Sequence, residues 1–584
     1  MQDQTPNTAT MTAQPTEPLP VLLREGKDSS PEETTSADST PEGSITCSPT
    51  PSSQIALLML ALCLSVFLAA LDAVLIATAL PSIARAVSAS DAGFAWIGAA
   101  YLLAMAAAVP LWGRASDILG RKPLIMTAQA FFMAGSLVSA LAPDLAVLVA
   151  GRAVQGLGAG GVMALVNIVV GDMFSPRERG AYFGMIGAAW GLASGVGPLL
   201  GGGLTEGLSW RWCFWINLPV SAISLIILAV YMRKPVMAAR DIRGRKKRSV
   251  VADLLAIDWL GAATFAAATL LLLVGLELGG TQRPWTSPLV LCLVFSGATM
   301  YGLFALTQAR VSRHPLMPPL LFRDTAIVAT YVATFFHGLT FASLAFFLPV
   351  YFQAVLGASP IHSGVWLLAT AVPLALCTMC VGVLIRRTGR YIDIIRAAAA
   401  VTVLAMGLFV TFPPEPDWAR IITFQIVAAL GVAPNLQALL IGLQARVSKE
   451  DLAAGTAAFA FVRNVSVGIG VVIGQVMLQS AMGMRRGEMV EAGVDAALAE
   501  RLSGGGAIAT MGGGMTELGL GGLQADLVRR CLTDGLGRLW VMQCVTAAAG
   551  LVSTIFIRQV DLDGRGEEAK GESHGGTRRE DQSV

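Results

Sequence analysis

Residues Gly113–Lys122 read GRASDILGRK and form a short polar segment between two long apolar runs. The glycine and charged positions of this segment are Gly113, Arg114, Asp117, Gly120, Arg121 and Lys122. Short basic loops between membrane spans usually face the cytoplasm, and glycine lets a chain turn back within a few residues. The segment therefore predicts a tight cytoplasmic turn between two membrane helices, with bends at Gly113 and Gly120. An ordinary basic loop that only obeys the charge rule is the alternative.

The composition indicates that most of the chain lies in lipid. Of its 584 residues, 54% are hydrophobic and only 14% are charged, whereas soluble domains are about 25% charged. One water-soluble core does not absorb this much apolar length. The eight cysteines lie mostly within apolar runs, so we expect small hydrophobic side chains rather than a disulfide framework or a metal site. The charge balance gives no indication of nucleic acid binding.

Apolar runs of membrane-spanning length recur along the chain. A helix needs about 20 apolar residues to cross a bilayer, and we predict fourteen such spans. The predicted spans are 55–80, 93–112, 123–142, 145–170, 181–204, 212–231, 258–279, 287–308, 327–351, 363–385, 392–412, 420–443, 455–482 and 536–557.

Lysine and arginine concentrate in alternate short loops, and this asymmetry predicts the orientation. The loops that follow the even-numbered spans carry most of them, with the largest basic group at 232–257. These loops are placed in the cytoplasm by the positive-inside rule. An even number of spans then places both chain ends there. The ends, 1–54 and 558–584, are too polar to bury a core, so we predict disordered cytoplasmic tails.

A weak internal repeat indicates two related halves. In GVLIRRTGR, Gly382–Arg390, Gly382 and Gly389 are seven residues apart, like the two glycines of the opening segment, although the acidic position is lost. The regions predicted between the tails are an N-terminal half at 55–231, the basic loop at 232–257, two inserted spans at 258–308 and a C-terminal half at 309–557 that includes a long outer loop at 483–535.

The opening segment resembles the loop between helices 2 and 3 of the major facilitator superfamily. That pattern is roughly G-x-x-x-D-x-x-G-R-K/R, and every fixed position is filled. The resemblance implies a gating role for this segment at the inner side of the membrane. It also implies an all-α polytopic membrane protein with two six-helix halves, to which this chain adds two central spans for a total of fourteen transmembrane helices.

The end of the first span carries an acid at membrane depth. LDAVLIATALP, Leu71–Pro81, resembles the motif L-D-x-T-I-V-N-V-A-L-P of the 14-span drug:proton antiporters, with Val74 and Ala77 in place of the usual Thr and Asn. A carboxylate there costs roughly 2.5–3.5 kcal/mol, so we expect Asp72 to face a watery cavity or a polar partner. Asp72 is either a site of protonation or substrate binding, or a structural acid hydrogen-bonded to a neighbouring helix.

The fourth span carries a buried base. AGRAVQGLGAGG, Ala150–Gly161, resembles the span-4 motif R-x-x-Q-G-x-G-x-G of the family. Arg152, Gln155 and Gly156 share one helix face, and the glycines permit close contact with a neighbouring span. An arginine inside the bundle can hold a carboxyl ionised and so tune proton binding. Packing and structural ion pairing are the alternatives.

Two further segments resemble the same branch. GLASGVGPLLGG, Gly191–Gly202, is similar to the span-5 antiporter motif, and WRWCFWINLP, Trp210–Pro219, is very close to a signature of the branch. Glycines and a proline in span 5 predict close packing along one helix face and a bend. This suits a gating element, with plain helix packing as the alternative. In the second segment, Asn217 is a candidate for a hydrogen bond between helices. The candidate residues of span 5 are Gly191, Gly195, Gly197, Pro198, Gly201 and Gly202.

The later spans offer fewer polar positions. The candidates for polar groups in a cavity are His337, Asn435, Gln437, Arg463 and Asn464. The string AFVRN, which holds the last two, resembles the branch's span-13 motif. A histidine titrates near neutral pH, but a lone one more often makes a hydrogen bond between helices.

These segments identify the chain as a member of the major facilitator superfamily, similar to the 14-span drug:proton antiporters. The resemblance implies proton-coupled efflux by alternating access, with a small organic substrate, protons and membrane lipid as partners. Bulky amphiphilic compounds fit the mostly apolar spans, and fungal pumps for toxins, secondary metabolites or drugs are the nearest analogy. We expect a monomer in the plasma membrane.

Other classes of protein fit the sequence less well. No G-x-x-x-x-G-K-[ST] is present, so ATP is not the evident drive. No catalytic triad or H-E-x-x-H pattern indicates an enzyme, and we predict neither cofactor nor metal. A permease for basic amino acids in the vacuolar membrane, from the same branch, and a transport-inactive sensor are the alternatives.

Overall fold

The predicted all-α membrane fold is confirmed. The computed structural model describes residues 52–87, 91–232, 257–279, 283–312, 315–503 and 520–562. Within that part of the chain, fourteen helices are long and apolar enough to cross a membrane, and no β-strand occurs. The predicted N-terminal tail up to residue 51, the basic loop from 233 to 256 and the C-terminal tail from 563 lie outside the described residues.

The fourteen helices are numbered here in chain order. They are α1 (Ser52–Ala86), α2 (Asp91–Leu119), α3 (Arg121–Ala140), α4 (Leu145–Met173), α5 (Pro176–Gly207), α6 (Asn217–Tyr231), α7 (Trp259–Leu278), α8 (Pro288–Arg310), α9 (Thr325–Val350), α10 (Pro360–Thr388), α11 (Tyr391–Phe409), α12 (Trp418–Arg446), α13 (Leu452–Met484) and α14 (Gly522–Ser553). A one-turn helix at Trp212–Trp215 precedes α6, and a π-helical turn at Tyr351–Val355 extends α9.

Local sequence explains where several helices begin and end. Ser175 and Glu178 form a capping box at the start of α5, with Pro176 at its first position. The side chain of Asp144 caps α4. Gly389 ends α10 with a φ of 69°, a left-handed conformation that favours glycine.

The opening segment forms a turn of a single residue. α2 continues through Leu119 and α3 begins at Arg121, so only Gly120, with a φ of 92°, leaves the helical conformation. The predicted bend at Gly113 is wrong, because this glycine lies inside α2. A Cβ at Gly113 would lie 2.6 Å from the Cβ of Ala457 in α13. Gly113 is therefore a point of close helix contact.

The two halves, α1–α6 and α9–α14, meet along two seams. α5 and α10 run antiparallel and touch from Gly180 against Gly382 at one end to Gly202 against Ile361 at the other. α2 and α13 form the second seam. We call the end of the bundle that carries the turns at Gly120 and Gly389 the inner end, since the charge rule assigns it to the cytoplasm.

The inserted helices lie across the second seam. α7 packs against both α2 and α13, while α8 packs mainly against α7. Leu273 of α7 clusters with Leu103 and Ala106 of α2, and the ring centroids of Phe265 and Phe461 are 4.5 Å apart. The extra pair therefore contacts both halves.

The predicted outer loop at 483–535 needs correction. It contains short helices at Arg486–Glu491 and Ala496–Ser503, and α14 begins at Gly522, well before the predicted span. Several charged residues in the first turns of α14 lower its local hydropathy. For this reason, apolar content alone places the start of the helix too late.

Candidate functional site

Asp72 of α1 and Arg152 of α4 form an ion pair inside the N-terminal half. Arg152 Nη1 donates to Asp72 Oδ2, and each residue is only 1% exposed. Arg152 Nε also donates to the carbonyl of Ile97 in α2 at 3.2 Å. Removing one partner of such a buried pair leaves an uncompensated charge and costs about 3–5 kcal/mol. The pair therefore holds three helices together.

Three polar side chains complete this group. Gln155 Nε2 and Asn217 Nδ2 donate to Asp72 Oδ1 at 2.7 and 3.0 Å. The hydroxyl of Ser136 accepts from the same two amides at 2.8 and 3.3 Å. Gln155 Oε1 accepts from Arg152 Nη1 at 2.7 Å. We call Asp72, Ser136, Arg152, Gln155 and Asn217 the Asp72 network. It joins α1, α3, α4 and α6.

Glycines bring the helices of this network close together. A Cβ at Gly135 of α3 would lie 2.3 Å from the backbone nitrogen of Gln155, and one at Gly156 would lie 2.2 Å from the carbonyl oxygen of Tyr101. The ring of Tyr101 lies under the guanidinium, with its centroid 4.4 Å from Arg152 Cζ. Neither glycine accommodates a side chain unless a helix shifts.

Asp117 and Arg121 belong to a separate charged group at the inner end. Arg121 Nη1 lies 2.7 Å from Asp117 Oδ1, and its Nε lies 2.8 Å from Asp172 Oδ2 of α4. Arg114 Nη1 lies 3.5 Å from Asp117 Oδ2. Lys122 donates instead to a backbone carbonyl of α6 at 2.5 Å. The charges of the opening segment therefore tie its turn to α4 and α6.

The span-5 glycines lie on two faces of α5. Gly191, Gly195 and Gly202 face α10, and a Cβ at each would lie 3.0 Å from a side chain of that helix. Gly197 faces α1, where a Cβ would lie 3.0 Å from Val74 Cγ1. The expectation of one small-residue face is therefore wrong, because about 100° of rotation per residue turns position 197 away from the others.

The glycines that face α10 continue toward the inner end. Gly180, Gly184 and Gly187 also contact that helix, and their spacing of three and four residues was the available sequence signal. The carbonyl of Gly201 accepts a hydrogen bond from the hydroxyl of Thr205, one turn later, at 2.5 Å. The side chain of Pro198 lies outside the described residues.

Polar contacts join the two halves at the inner end. Arg177 of α5 donates to the last carbonyls of α10 at 2.8 and 3.0 Å. Gln444 Nε2 of α12 donates to the carbonyl of Asn167 in α4 at 3.3 Å and to Thr456 Oγ1 in α13 at 3.0 Å. The inner end is thus closed by contacts between α5 and α10 and between α12 and α4.

The remaining candidates lie in the C-terminal half, away from the Asp72 network. His337 and Asn435 line a small cleft between α9, α11, α12 and α14. The His337 Nε2 atom lies 3.0 Å from a backbone carbonyl of α12, which is the helix–helix contact weighed for a lone histidine. Gln437 on α12 is buried, whereas Arg463 and Asn464 on α13 are half-buried.

The structure thus brings together Asp72, Arg152, Gln155 and Asn217, and places the opening segment and the span-5 glycines elsewhere. Sequence reasoning missed several polar partners, and their only signal was a polar residue within or at the end of an apolar run. The partners missed are Tyr101, Ser136, Asp172, Arg177 and Gln444.

Comparison with known proteins agrees with this architecture. Residues 62–471 match the Major Facilitator Superfamily. The chain is 42% identical over 511 residues to the MFS-type transporter ppz2 of Metarhizium majus, covering 87% of this chain and 86% of the relative. It is 38% identical over 515 residues to the efflux pump dotC of Dothistroma septosporum, covering 88% and 86%. The structure of the proton:xylose symporter XylE aligns with a TM-score of 0.51 at 14% identity, covering 88% of this chain and 98% of that one.

Fourteen membrane-length helices around a buried charge network define a multi-pass helical membrane protein. The chain belongs to the major facilitator superfamily, because the family match covers most of its length and its relatives align over nearly all of it. Members of this family carry small molecules across membranes and are not enzymes. The predicted family, and a transporter rather than an enzyme, are therefore confirmed.

Proposed function

We propose that this transporter exports amphiphilic organic compounds through the plasma membrane in exchange for protons, as a monomer whose halves alternate in access. Relatives named as efflux pumps support the direction of transport. Both seams between the halves form within one chain, which supports a monomer as the working unit. The observation that carries the proposal is the buried pair of Asp72 and Arg152, because it places a titratable carboxylate out of water against a single base.

Protonation of Asp72 removes the charge with which Arg152 pairs. Arg152 then faces only neutral acceptors, namely the carboxyl oxygen of Asp72, the Gln155 side-chain oxygen and the Ile97 carbonyl. Breaking a buried pair costs about 3–5 kcal/mol. One proton moving down a membrane potential supplies roughly 2.3 kcal/mol per 100 mV. The two energies are of the same order, so protonation of this one group can contribute to the balance between two arrangements of α1 and α4.

The position of Asp72 suits protonation from outside. It lies about 30 Å along α1 from Ser52 at the inner end, at 1.5 Å per residue. Arg177 and Gln444 close the inner end. A proton that binds from the outer side and weakens the Asp72 network would favour release of these inner contacts, which opens the opposite side.

The contact surface between the halves supports an amphiphilic substrate. The rings of Trp190 in α5 and Phe341 in α9 meet across the halves with centroids 5.1 Å apart. Toward the outer end, Gly191, Gly195 and Gly202 of α5 face small or apolar side chains of α10. Binding sites for organic molecules are mostly apolar with a few polar groups that fix orientation.

Flux in proteoliposomes with an imposed pH gradient tests the proposal. We expect Asp72→Asn to lose gradient-driven export of the neutral amphiphile N-phenyl-1-naphthylamine while retaining its gradient-independent exchange, because the amide keeps the size of the side chain but cannot bind the proton. Asp393→Asn, at an exposed acid of α11, is the matched control and should pump normally. Export by Asp72→Asn with the pH dependence of the wild type would remove Asp72 from the mechanism.

A further inference from the structure

Two polar side chains between the halves take no part in the Asp72 network. Arg463 of α13 is half-buried, and among the described residues its guanidinium forms neither an ion pair nor a hydrogen bond. Gln437 of α12 is 7% exposed, and its Oε1 atom has no hydrogen-bond partner in the described part of the chain. A buried polar group without a partner is costly. Because these polar atoms lack partners within the described residues, both side chains are available to bind a ligand.

The hydrogen bond between Gln444 and Thr456 indicates that Gln437 and Arg463 lie at the same depth in the bundle. Gln444 of α12 and Thr456 of α13 are 3.0 Å apart, at the closed inner end. Gln437 precedes Gln444 by seven residues and Arg463 follows Thr456 by seven residues. Seven residues are about two helical turns, or roughly 10 Å, and return to nearly the same face. Gln437 and Arg463 therefore lie above this contact on adjoining faces of α12 and α13.

The neighbours of each helix indicate that these faces are turned to the interior of the protein. On α13, Ala457 contacts α2 of the N-terminal half, and Ser466 contacts Gly338 of α9. Given about 100° of rotation per residue, Arg463 lies about 60° from the Ser466 contact and about 120° from the Ala457 contact, so its face adjoins α9 and turns partly toward α2. On α12, the amide nitrogen of Gln437 lies against Gly187 of α5, 3.4 Å from the position of an added Cβ. The two side chains thus lie between the halves.

The charge at this position is positive. The Asp72 carboxylate is already paired with Arg152 in the other half. His337 of α9 lies within electrostatic reach of Arg463 and is also a base. A planar guanidinium fits a carboxylate or sulfonate through two parallel hydrogen bonds, and the Gln437 amide nitrogen can donate to the same anion, while its Oε1 can accept only from a donor elsewhere on the ligand.

We propose that Arg463 and Gln437 form a recognition site for the anionic group of an amphiphilic organic acid. This inference rests on the proposed function, because it names the chemical class of the compound carried between the halves. The apolar body of the ligand lies along the Trp190 and Phe341 rings, and its acid group pairs with Arg463 above the closed inner end. A site of this kind disfavours basic amino acids.

Ligand-dependent thermal unfolding of the full chain in phosphatidylcholine nanodiscs tests this site. The probes are 1-naphthaleneacetate and its uncharged analogue 1-naphthaleneacetamide, whose Kd values follow from stabilisation as a function of concentration. We expect the wild type to bind the carboxylate more tightly than the amide. Arg463→Gln should weaken carboxylate binding about tenfold or more with little change for the amide, because a charge-assisted hydrogen bond is lost.

Matched variants separate recognition from folding. Arg463→Lys keeps the positive charge but lacks the two parallel N–H donors of the guanidinium, so it should bind the carboxylate with intermediate affinity. Arg396→Gln removes an arginine of α11 that donates to carbonyls near the end of α14, and it should bind like the wild type. Equal binding of the two probes by the wild type, an undiminished preference in Arg463→Gln, or stabilisation by L-arginine would overturn the proposal.

Failure of the proposed anion site can be distinguished from failure of proton coupling in the flux experiment. Binding is measured at equilibrium without a gradient, so it does not depend on proton coupling through Asp72. Loss of carboxylate preference alongside normal proton-driven flux would reject the anion site only. Retained preference in a protein that does not pump would reject proton coupling only.

Discussion

A single carboxylate organises polar side chains from three other helices. Asp72 accepts hydrogen bonds from Arg152, Gln155 and Asn217, and Ser136 binds both amides in turn. In a low-dielectric interior such a network is stable only while its members remain paired. A change in the charge of Asp72 therefore affects α1, α3, α4 and α6 together, which is the property that a coupling group requires.

A smaller charged contact predicts a measurable pH dependence. Asp324 caps α9 and lies 2.5 Å from Arg446 Nε at the inner end. Partial burial alone raises the pKa of Asp324, but hydrogen bonds from Arg446 and from the backbone of Ala326 outweigh it, so the pKa lies below its ordinary value. A lowered pKa in the folded state stabilises the protein above the ordinary carboxyl pKa, and this stabilisation disappears as the pH falls through the folded value.

We therefore expect Asp324→Asn to lose up to about 1 kcal/mol at pH 7, since the pair is partly solvated. The asparagine side chain retains an oxygen that can cap α9, so the substitution tests the effect of the negative charge alone. Thermal unfolding in detergent should show a difference from the wild type that shrinks below about pH 4. Asp393→Asn provides the control, and a deficit that persists in acid would show that the cap rather than the charge stabilises α9.

The sequence determines some of these contacts and not others, for a physical reason. Asp72 and Arg152 are recognisable because a charge at membrane depth needs a partner. Ser136 and Tyr101 are not, since hydroxyls are common in apolar spans. Helices that are apolar on most sides carry no pattern to indicate which face meets which neighbour. That information resides in glycine contacts such as Gly135 against Gln155, which only the packed structure reveals.

Equivalent glycines have equivalent roles in the two halves. Gly120 and Gly389, the second glycine of each repeat copy, have φ values of 92° and 69° at the turns of the inner end. Gly113 and Gly382, the first of each copy, lie inside helices at contacts with the other half. The seven-residue spacing thus predicted related halves from sequence, while the distinction between a turn glycine and a contact glycine required the structure.

The contact glycines predict how the α5–α10 seam responds to added volume. A Cβ at Gly382 would lie 2.2 Å from the carbonyl oxygen of Gly180, so Gly382→Ala must push the inner ends of the two helices apart. Overpacking of this kind costs about 1–3 kcal/mol. We expect a lower unfolding temperature and faster maleimide labelling of the half-buried Cys377 on α10, measured by peptide mass spectrometry.

Gly302→Ala is the control for this change, because nothing lies within 4 Å of a Cβ at that position of α8. Its unfolding temperature and the labelling of Cys377 should match the wild type. If Gly382→Ala behaved in the same way, the close contact at the inner end would not limit the separation of the halves.

At the scale of the whole molecule, the inserted pair α7–α8 has a consequence for movement. α7 contacts α2 in one half and α13 in the other, so it cannot remain fixed to both if the halves alternate in access as proposed. The contacts of Leu273 with Leu103 and of Phe265 with Phe461 are apolar and aromatic. Such contacts are non-directional, which allows α7 to slide on one half while it covers the seam.

The distribution of basic loops predicts the side on which each end of the bundle lies. With basic loops inside and fourteen membrane-length helices in the described residues, we expect Thr388 at the inner turn to lie in the cytoplasm and Glu491, between α13 and α14, to lie outside. A membrane-impermeant maleimide should therefore label Glu491→Cys in intact cells but Thr388→Cys only after permeabilisation, in each case above the signal of the native cysteines. Both side chains are exposed, so they form a matched pair. Labelling of Thr388→Cys in intact cells would reverse the predicted orientation, and with it the direction proposed for proton access to Asp72.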